Sequence, residues 1–285
     1  MHCPFLLFCA LAATRAADEI VEYFKRGYEA LGKAKDVLVI GGGAAGVEYA
    51  AYIAAAFPAA KVTLVHGGDA LFNNAPGAAA RFKADIRQKL TALGVEIVLN
   101  EMLALPKDED LSIPKRRTLT STVTGRQYTS DVQIVAIGFS KINSEPFQAS
   151  PWAAHLTKGG IKVNSFLQVE GVPQVFAAGD VANVQGPSGP VGKMAGNARF
   201  QATAAAHNIL KLIEQGPRAE LAPFTPLPFM MFVALGPHHG TTQGLPLDQY
   251  TFTGVLGDAV VGIKARDFFL GMTQGYMNPQ SAATA

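Results

Sequence analysis

One stretch, DVLVIGGGAAGVE at residues 36–48, constrains the fold most, because it places a glycine-rich turn between an apolar strand and an alanine-rich helix. Gly41, Gly43 and Gly46 fit the pattern G-x-G-x-x-G, and Gly42 lies between the first two. The first glycine of such a turn permits the tight bend, the second lets a pyrophosphate approach the backbone, and the third lets the helix pack on the strand. The helix N-terminus then faces the anion. These four glycines therefore predict a dinucleotide-binding site.

The segments around this turn predict the fold. The helix AAGVEYAAYIAAAF ends near Pro58 and leads into a second buried strand, KVTLVH. A strand, a helix and a strand in this order form a βαβ unit with parallel strands. A similar turn in an unrelated α/β fold, or a methyl-donor site, is the alternative, whereas a P-loop is disfavoured because no G-K-[ST] follows. The expected fold class is α/β, with a Rossmann-like parallel sheet.

Two polar residues near the turn are candidates for cofactor binding. His66 ends the second strand, where an acid binds the ribose 2′-hydroxyl of NAD and a base accommodates the 2′-phosphate of NADP. A neutral histidine donates to a hydroxyl and a protonated one faces a phosphate, so we expect weak discrimination between NADH and NADPH. A solvent-facing strand end is the alternative for His66. Glu48 lies on the first turn of the helix, where it is either a functional acid or a favourable capping charge.

Farther along the chain, the patterns predict a hairpin, a linker and a small sheet. RTLTSTVTGRQY, residues 117–128, is typical of an exposed antiparallel hairpin, and VQIVAIG is a buried strand that closes the first domain near Gly138. Four prolines from Pro217 to Pro228 mark a linker. The runs FMMFVAL, QYTFTGVL and AVVGIKA then predict antiparallel strands, followed by a helix after Arg266.

Composition excludes several classes of function. With 285 residues, 49% of them hydrophobic, the chain can bury a sizeable core, and its length suggests about two domains. The net charge of +2 does not support nucleic-acid binding, and we expect the basic run 115–117 to lie at a solvated strand end. Cys3 and Cys9 leave no cysteine pair farther along for disulfide reduction. His238 and His239 lack an acid or cysteine at ligand spacing, so no metal site is predicted.

The N-terminal stretch MHCPFLLFCALAATRA has a short apolar core and an Ala-Leu-Ala triplet at residues 10–12, as secretory signals do. Because no lysine or arginine precedes that core, a buried or disordered end, or a misplaced start in the gene model, is favoured over a signal. No run in the sequence approaches the roughly 20 apolar residues of a membrane span. We therefore expect a cytoplasmic protein, with peripheral membrane association and the oligomeric state left open.

A second motif, QVFAAGDVAN, ends a buried strand in Gly179 and Asp180. A carboxylate at the C-terminal end of a parallel strand is well placed to accept a hydrogen bond from a flavin ribityl hydroxyl. The helix that follows can point its positive end at a reduced flavin. By itself, Asp180 is equally typical of a capped turn.

Four stretches resemble the FAD-dependent pyridine nucleotide oxidoreductases, in particular the apoptosis-inducing-factor-like, mitochondrion-associated branch of ferroptosis suppressors, which are NAD(P)H:quinone reductases. These are DVLVIGGGAAGVEYAAYIAAAFPAAKVTLVH, INSEPF, LQVEGVPQVFAAGDVANV and KMAGNARFQATAAAHNI. The resemblance extends from about residue 17 to residue 267 or beyond, with the motifs in the family's order. It implies FAD and NAD(P)H as cofactors and a small, quinone-like electron acceptor.

The resemblance also implies catalytic residues. Glu48 is similar to the family's acid beside the nicotinamide. In IKARDFF, Lys264 and Phe269 fall where this branch has a lysine and a phenylalanine near the flavin and the quinone. A solvated strand end is the alternative for Lys264, and an ordinary core aromatic is the alternative for Phe269. Gly138, at the end of its strand, is included among the cofactor-binding residues.

On the flavin side, the resemblance makes Asp180 the ribityl ligand, with Gly179 beside it. Lys193, Met194 and Ala195 are similar to the helix start beneath the isoalloxazine ring. The family carries an earlier glycine-rich βαβ unit for the ADP half of FAD, and no such turn precedes Gly41. Without about three charge-assisted bonds, each worth about 1.5–3 kcal/mol, flavin affinity would fall by roughly three to six powers of ten.

These observations predict four segments and a function. An apolar N-terminus and connector helix (1–34) precede an NAD(P)-binding domain (35–140), a C-terminal portion of an FAD-binding domain (141–215) and a small C-terminal α+β domain (216–285). The predicted function is hydride transfer from NAD(P)H through FAD to a quinone-like acceptor. The missing glycine-rich unit is expected to impair this activity if nothing replaces it. The alternatives are a non-catalytic NAD(H)-binding module that acts through sensing or partner association, and a partial gene model whose natural product contains the missing unit.

Overall fold

The computed structural model describes residues 17–73, 75, 77–138, 142, 144–157, 160–186, 189–226, 230–244 and 251–267. Contacts within the chain divide it into two compact units. The first unit combines the described residues up to 138 with those from 230 onward, and the second contains those between 142 and 226. The C-terminal segment therefore packs in the unit that contains the glycine-rich turn, although residues 139–228 separate it from that unit in sequence.

The helices and strands are listed here in chain order. The first unit begins with α1 (Ala17–Lys33), β1 (Asp36–Ile40), α2 (Ala44–Ala56), β2 (Lys61–Val65), α3 (Ala80–Ala92), β3 (Glu96–Val98), β4 (Arg117–Thr120), β5 (Gln127–Ser130) and β6 (Val132–Val135). The second unit contains α4 (Glu145–Gln148), β7 (Leu156–Thr157), β8 (Gly160–Lys162), β9 (Gln168–Val169), β10 (Val172–Phe176), β11 (Ala182–Asn183), β12 (Gln185–Gly186), β13 (Gly189–Pro190) and α5 (Ala195–Gln215). The C-terminal segment adds β14 (Met231–Ala234), β15 (Gly240–Gln243), β16 (Thr251–Phe252) and α6 (Gly254–Asp267) to the first unit.

The first unit is built on a four-stranded sheet in the order β3-β2-β1-β6. β1 pairs in parallel with both β2 and β6, and β2 pairs in parallel with β3. The apolar run of β1 is buried from Val37 to Ile40, as expected for a parallel strand covered on both faces. α3 adds Phe82, Ile86 and Leu90 to the core, which are spaced at one-turn intervals on one helix face. The predicted α/β class and parallel sheet are thus confirmed.

The predicted hairpin is present as the antiparallel pair β4–β5. The expectation for the basic run at 115–117 was wrong in one residue, because the Arg117 side chain is buried. Its Nε donates to Glu109 Oε1 at 2.9 Å, and its Nη1 donates to Gln133 Oε1 at 2.7 Å. A sequence pattern cannot separate Arg117 from the exposed Lys115, since only tertiary contacts supply the partners that make a buried guanidinium tolerable.

The second unit consists of short strands and one long helix. β8 pairs in parallel with β11 and antiparallel with β7, while β9 pairs with β10 and β12 with β13. α5 buries Ala205 together with two polar residues, Gln201 and Asn208. Asn208 exchanges two hydrogen bonds of 2.9 Å with the backbone of Ala222, and this contact holds the chain that follows α5 against the helix.

The C-terminal segment contains two of the three predicted strands. β15 pairs with β14 and with β16, but AVVGIKA, predicted as a strand, lies within α6. The β-branched valines favoured the strand prediction, and packing overrides that preference. Val261 is fully buried against Gly240, where an added Cβ would lie 2.3 Å from the Val261 Cβ. α6 therefore sits directly on the backbone of β15.

A cluster of charged side chains fastens this segment to α3. Lys89 Nζ lies 3.0 Å from Asp258 Oδ1, 3.2 Å from Asp85 Oδ2 and 2.5 Å from the Gly240 carbonyl oxygen. His239 Nδ1 lies 3.2 Å from Asp258 Oδ2, so the tertiary structure supplies an acid that the local sequence does not. Burial raises the pKa of Asp258, but its bonds to the Gly240 N–H, Lys89 and His239 outweigh this and lower that pKa below its usual value.

Replacing Lys89 by methionine is expected to lower the free energy of unfolding by roughly 1.5–3 kcal/mol, because Asp85 and Asp258 would lose their shared charged donor. Urea denaturation measures this change. Lys61→Met is the matched control: Lys61 pairs with Glu96 at 3.0 Å but its side chain is 64% exposed, so we expect a loss of less than about 1 kcal/mol. Equal losses in the two variants would contradict an anchoring role for Lys89.

Candidate functional site

The glycine turn brings three pieces of backbone into close contact. Gly41 has a φ of +117°, and a Cβ there would lie 2.3 Å from the carbonyl oxygen of Ala136. A Cβ on Gly46 would lie 1.8 Å from the carbonyl oxygen of Gly41. Both positions therefore require glycine, the first for its backbone conformation and for space, the second for space alone. Their lack of side chains lets α2 begin directly against the end of β1.

Gly43 differs from its neighbours because its missing side chain leaves open space. It precedes α2 with an ordinary extended backbone (φ −83°, ψ −174°), and no described residue other than its chain neighbours has an atom within 4 Å of a Cβ built there. No side chain of the described residues caps the helix at this point. The N–H groups and positive end of α2 therefore face a cradle that suits a pyrophosphate.

The two backbone groups of Gly42 are both held by the loop that follows β2. Its N–H donates to His66 Nδ1 at 3.1 Å, and its carbonyl oxygen accepts a hydrogen bond from the Phe72 N–H at 2.9 Å. His66 is therefore not simply a solvent-facing strand end, because its ring contacts the turn itself. Whether it contacts a bound ribose stays a prediction.

The structure brings Glu48 and Lys264 together from α2 and α6. Lys264 Nζ donates to Glu48 Oε1 and, at 3.0 Å, to the carbonyl oxygen of Phe232. Glu48 Oε1 also accepts a hydrogen bond from the Ala234 N–H at 2.9 Å. Both side chains are only 18% exposed, so solvent screens this ion pair weakly. The alternative of a solvated strand end for Lys264 is wrong, since the residue lies in a helix and pairs with Glu48.

Tyr52 lies one helical turn after Glu48. Its burial, together with the negative charge of Glu48, raises the pKa of the Tyr52 phenol well above its usual value. The phenol therefore stays protonated beside the ion pair at all physiological pH values. This part of the site combines a fixed carboxylate, a fixed ammonium group and a neutral phenol.

In the second unit, the structure gathers the residues that the sequence assigned to the flavin. Asp180 lies exposed in a short 3-10 turn after β10, and Lys193 Nζ donates to its backbone oxygen. Burial lowers the pKa of Lys193, and the charge of Asp180 opposes this effect in part. Met194 is the N-cap of α5, and Ala195 is its first residue. The site thus has a carboxylate and an ammonium group near one helix start.

Gly179 and Gly138 both adopt left-handed backbone conformations, each with a φ of +80°. The Gly179 N–H donates to Gln201 Oε1 at 2.7 Å, so a buried glutamine of α5 ties the Gly-Asp turn to the helix. Among the described residues other than its chain neighbours, none has an atom within 4 Å of a Cβ at Gly138. The predicted residue Phe269 lies outside the described residues.

Sequence reasoning missed several groups in these sites. The Ala234 N–H and the Phe232 carbonyl oxygen hold Glu48 and Lys264 through the backbone, which leaves no signal in residue type. Gln201 is one of several polar residues in α5, so its residue type gave no signal of its role.

Two features are absent from the described part of the chain. No group of three or more His, Cys, Asp and Glu side chains there is arranged to hold a metal ion. None of its helices combines the length and the apolar character that crossing a membrane requires.

Comparison with known proteins identifies the family. The sequence profile of the pyridine nucleotide-disulphide oxidoreductases matches residues 12–208, a stretch that includes the glycine turn, Glu48 and the Gly179-Asp180 motif. The chain belongs to this family. The prediction of a pyridine nucleotide oxidoreductase is thereby confirmed at the level of the family.

Individual relatives support the predicted branch. Ferroptosis suppressor protein 1 from Mus musculus is 30% identical to this chain, and the match covers 82% of the chain and 58% of the mouse protein. Its Homo sapiens counterpart is 29% identical over 81% of the chain and 57% of the human protein. Apoptosis-inducing factor homolog B from Dictyostelium discoideum is 28% identical over 92% of the chain and 68% of that protein. The chain thus spans little more than half the length of the ferroptosis suppressor proteins it matches.

Solved structures of other oxidoreductases share the fold. A ferredoxin reductase from Rhodopseudomonas palustris superposes with a TM-score of 0.60 and 19% identity, over 80% of this chain and 50% of the reductase. A water-forming NADH oxidase from Lactobacillus brevis, solved with NADH bound, gives a TM-score of 0.56 and 23% identity, over 75% of this chain and 43% of the oxidase. These similarities confirm the fold class.

Gly43→Val is expected to abolish NADH binding while leaving the protein folded, because its side chain would enter the open cradle and no described residue other than its chain neighbours lies within 4 Å of its Cβ. Titration of NADH fluorescence measures binding, and circular dichroism measures folding. Gly46→Val is the matched control, since its side chain would collide with the Gly41 carbonyl and should reduce stability as well. Unchanged NADH affinity in the folded Gly43 variant would refute the assignment of the turn.

Proposed function

We propose that this protein acts in an FAD-dependent NAD(P)H oxidoreductase, in which hydride passes from NAD(P)H to FAD and electrons then leave for a quinone-like acceptor. The observation that carries the proposal is the placement of a largely shielded Glu48–Lys264 pair in the same unit as an open glycine turn. Family membership supports the same class of reaction. The quinone-like acceptor rests on the resemblance to the apoptosis-inducing-factor-like branch.

The glycine turn would bind the pyrophosphate of NAD(P)H. The space beside Gly43 admits the phosphates, and the free N–H groups at the start of α2 supply donors along the helix axis. Because Gly41 and Gly46 hold this backbone in close contact, the donors are oriented before the ligand arrives. Binding therefore costs little reorganisation of the turn.

Glu48 would orient the nicotinamide end of the same cofactor. A carboxylate has about four acceptor positions, and the Ala234 N–H and Lys264 ammonium both occupy Oε1. The group therefore keeps capacity to accept a hydrogen bond from the nicotinamide carboxamide. Two donors on one oxygen also hold the carboxylate in place, which favours one orientation of the ring that reacts.

Lys264 would contribute positive charge to the same site. Its ammonium group is fixed between Glu48 and the Phe232 carbonyl oxygen, and it is largely shielded from water. A fixed cation in such surroundings stabilises negative charge that develops as electrons are transferred. The neutral Tyr52 phenol adds no competing charge.

The second unit would hold the ribityl and ring portion of the flavin. The exposed Asp180 carboxylate suits a ribityl hydroxyl, and Lys193 with the start of α5 supplies positive potential. When bound, FAD supplies the redox chemistry by accepting a hydride and releasing electrons one or two at a time. The described residues contain one strand–glycine turn–helix unit of the dinucleotide-binding type, so the ADP half of FAD has no comparable cradle among them.

This imbalance also favours a second candidate function. A complete nucleotide turn in the first unit and a partial flavin site in the second suit a module that binds NAD(H) without turnover and acts through sensing or partner association. The two functions differ in one property, which is whether bound NADH is oxidised.

The deciding assay uses the purified chain with added FAD, NADH and a water-soluble quinone. The enzyme proposal expects yellow, flavin-loaded protein and NADH oxidation that depends on both FAD and the quinone. Protein that binds NADH but stays colourless and inactive would refute the enzyme proposal and support the binding module. Protein that does not bind NADH would refute both functions.

Asp180→Ala is expected to lower FAD affinity by about ten- to a hundredfold, because a hydrogen bond to a charged group is worth about 1.5–3 kcal/mol. NADH affinity should be unchanged, since Asp180 belongs to the second unit. FAD titration by flavin fluorescence and NADH titration measure the two effects separately. Asp180→Asn, which keeps an acceptor oxygen, should retain more of the FAD affinity, and an equal loss of NADH binding in the Ala variant would show that Asp180 is misassigned.

A further inference from the structure

The loop between β2 and α3 holds the glycine turn from outside. The ring of His66 lies between two partners, the Gly42 N–H, 3.1 Å from Nδ1, and Asn73 Oδ1, 3.0 Å from Nε2. We name residues 66–73 the bracing loop. The sequence pattern of a dinucleotide site points to Gly42 and to His66, whereas Asn73 has no such signal.

These two contacts determine which nitrogen of His66 carries the proton. A backbone N–H can only donate, so Nδ1 must present its lone pair to Gly42. A neutral imidazole then has its single proton on Nε2, which donates to Asn73 Oδ1. In a protonated ring, Nδ1 also carries a proton, so two donors would face each other at the Gly42 N–H. The geometry therefore selects the neutral ring from the two states that the sequence left open.

Two glycines make room for this arrangement. A Cβ at Gly42 would lie 2.7 Å from Cγ of His66 and 2.8 Å from Cδ2 of Leu71. A Cβ at Gly68 would lie 1.9 Å from Nδ2 of Asn73 and 2.9 Å from Nε2 of His66. The ring and the amide are thus packed closely against bare backbone, and a side chain at either glycine would displace them.

The same loop holds the other side of Gly42 at the cost of backbone strain. Phe72 adopts a left-handed conformation with a φ of 57°, which is unfavourable for a bulky residue. This conformation directs its N–H to the Gly42 carbonyl oxygen at 2.9 Å. The Phe72 ring is buried and packs edge-on against Phe82 at 5.5 Å between ring centroids, which compensates for the strain. Both backbone groups of Gly42 are therefore oriented by the bracing loop.

We propose that Asn73 is a positioning residue for dinucleotide binding, which acts through His66 and rests on the function proposed above for the glycine turn. By accepting the Nε2 proton, Asn73 keeps the Nδ1 lone pair directed at Gly42. The peptide of Gly42 then holds the orientation in which Gly43 and the start of α2 face the pyrophosphate. A neutral ring brings no positive charge to a 2′-phosphate, and the weak discrimination between NADH and NADPH stays a prediction.

Two variants of similar size separate the acceptor from the volume that Asn73 fills. Asn73→Leu has no acceptor, so the dissociation constant for NADH is expected to rise about three- to tenfold, the worth of one hydrogen bond. Asn73→Asp keeps an oxygen in the same place and is expected to bind NADH within about twofold of the wild type at pH 8. NADH fluorescence titration of the full chain measures all three proteins.

Nitrogen-15 NMR of histidine-labelled protein supplies a readout that a merely structural role would not change. His66→Gln identifies the His66 signals by their loss. The wild type and Asn73→Asp should show a neutral ring with its proton on Nε2, and Asn73→Leu should show a mixture that includes the Nδ1-protonated form.

The outcomes keep this proposal distinct from the function on which it rests. If the wild type fails to bind NADH, the function proposed for the turn is refuted, and with it the role of Asn73 in binding. If the wild type binds NADH and Asn73→Leu matches it in either affinity or ring protonation, the positioning role alone is overturned. Weakened binding in Asn73→Leu, a shifted ring signal and recovery of both in Asn73→Asp together support it.

Discussion

The structure of the first unit depends on close contacts between backbone atoms at the glycine turn. A Cβ on Gly46 would collide with the carbonyl oxygen of Gly41, and a Cβ on Gly41 would collide with the carbonyl oxygen of Ala136, just after β6. This contact fixes the start of α2 against the central strand of the sheet. The direction of α2 in turn determines where Glu48 lies and which way the helix N-terminus points. A cradle for an anion and an oriented carboxylate thus follow from one steric constraint.

The C-terminal segment completes the site by packing onto the helices of this unit. Lys264 pairs with Glu48 on α2, while Lys89 on α3 binds Asp258 and the backbone of β15. These two ion pairs approach α6 from different helices, so they restrict its position at two points. An ammonium group from the far end of the sequence can therefore be held beside the carboxylate that the turn positions.

The two predicted cofactor sites differ in how completely the described residues form them. The nucleotide turn has its strand, its glycines, its helix and a loop that holds both backbone groups of Gly42. The flavin side has Asp180, Lys193 and the start of α5, linked through Gln201 to Gly179. The chain spans little more than half the length of the ferroptosis suppressor proteins it matches.

The sequence by itself determined the parallel sheet, the glycine turn and the family, because these depend on local patterns: apolar runs, glycine spacing and helix starts. It also pointed to Glu48, from its place on the first turn of the helix, and to Lys264, by resemblance. It predicted a strand where Lys264 lies in a helix. Only the tertiary structure decided the pairing of those residues, the burial of Arg117 and the contact between Asn73 and His66. Each of these depends on how the folded backbone brings side chains and backbone groups together, which residue type and spacing alone do not show. The physical reason is that the energy of a buried polar group comes from its partners, which exist only once the chain is folded.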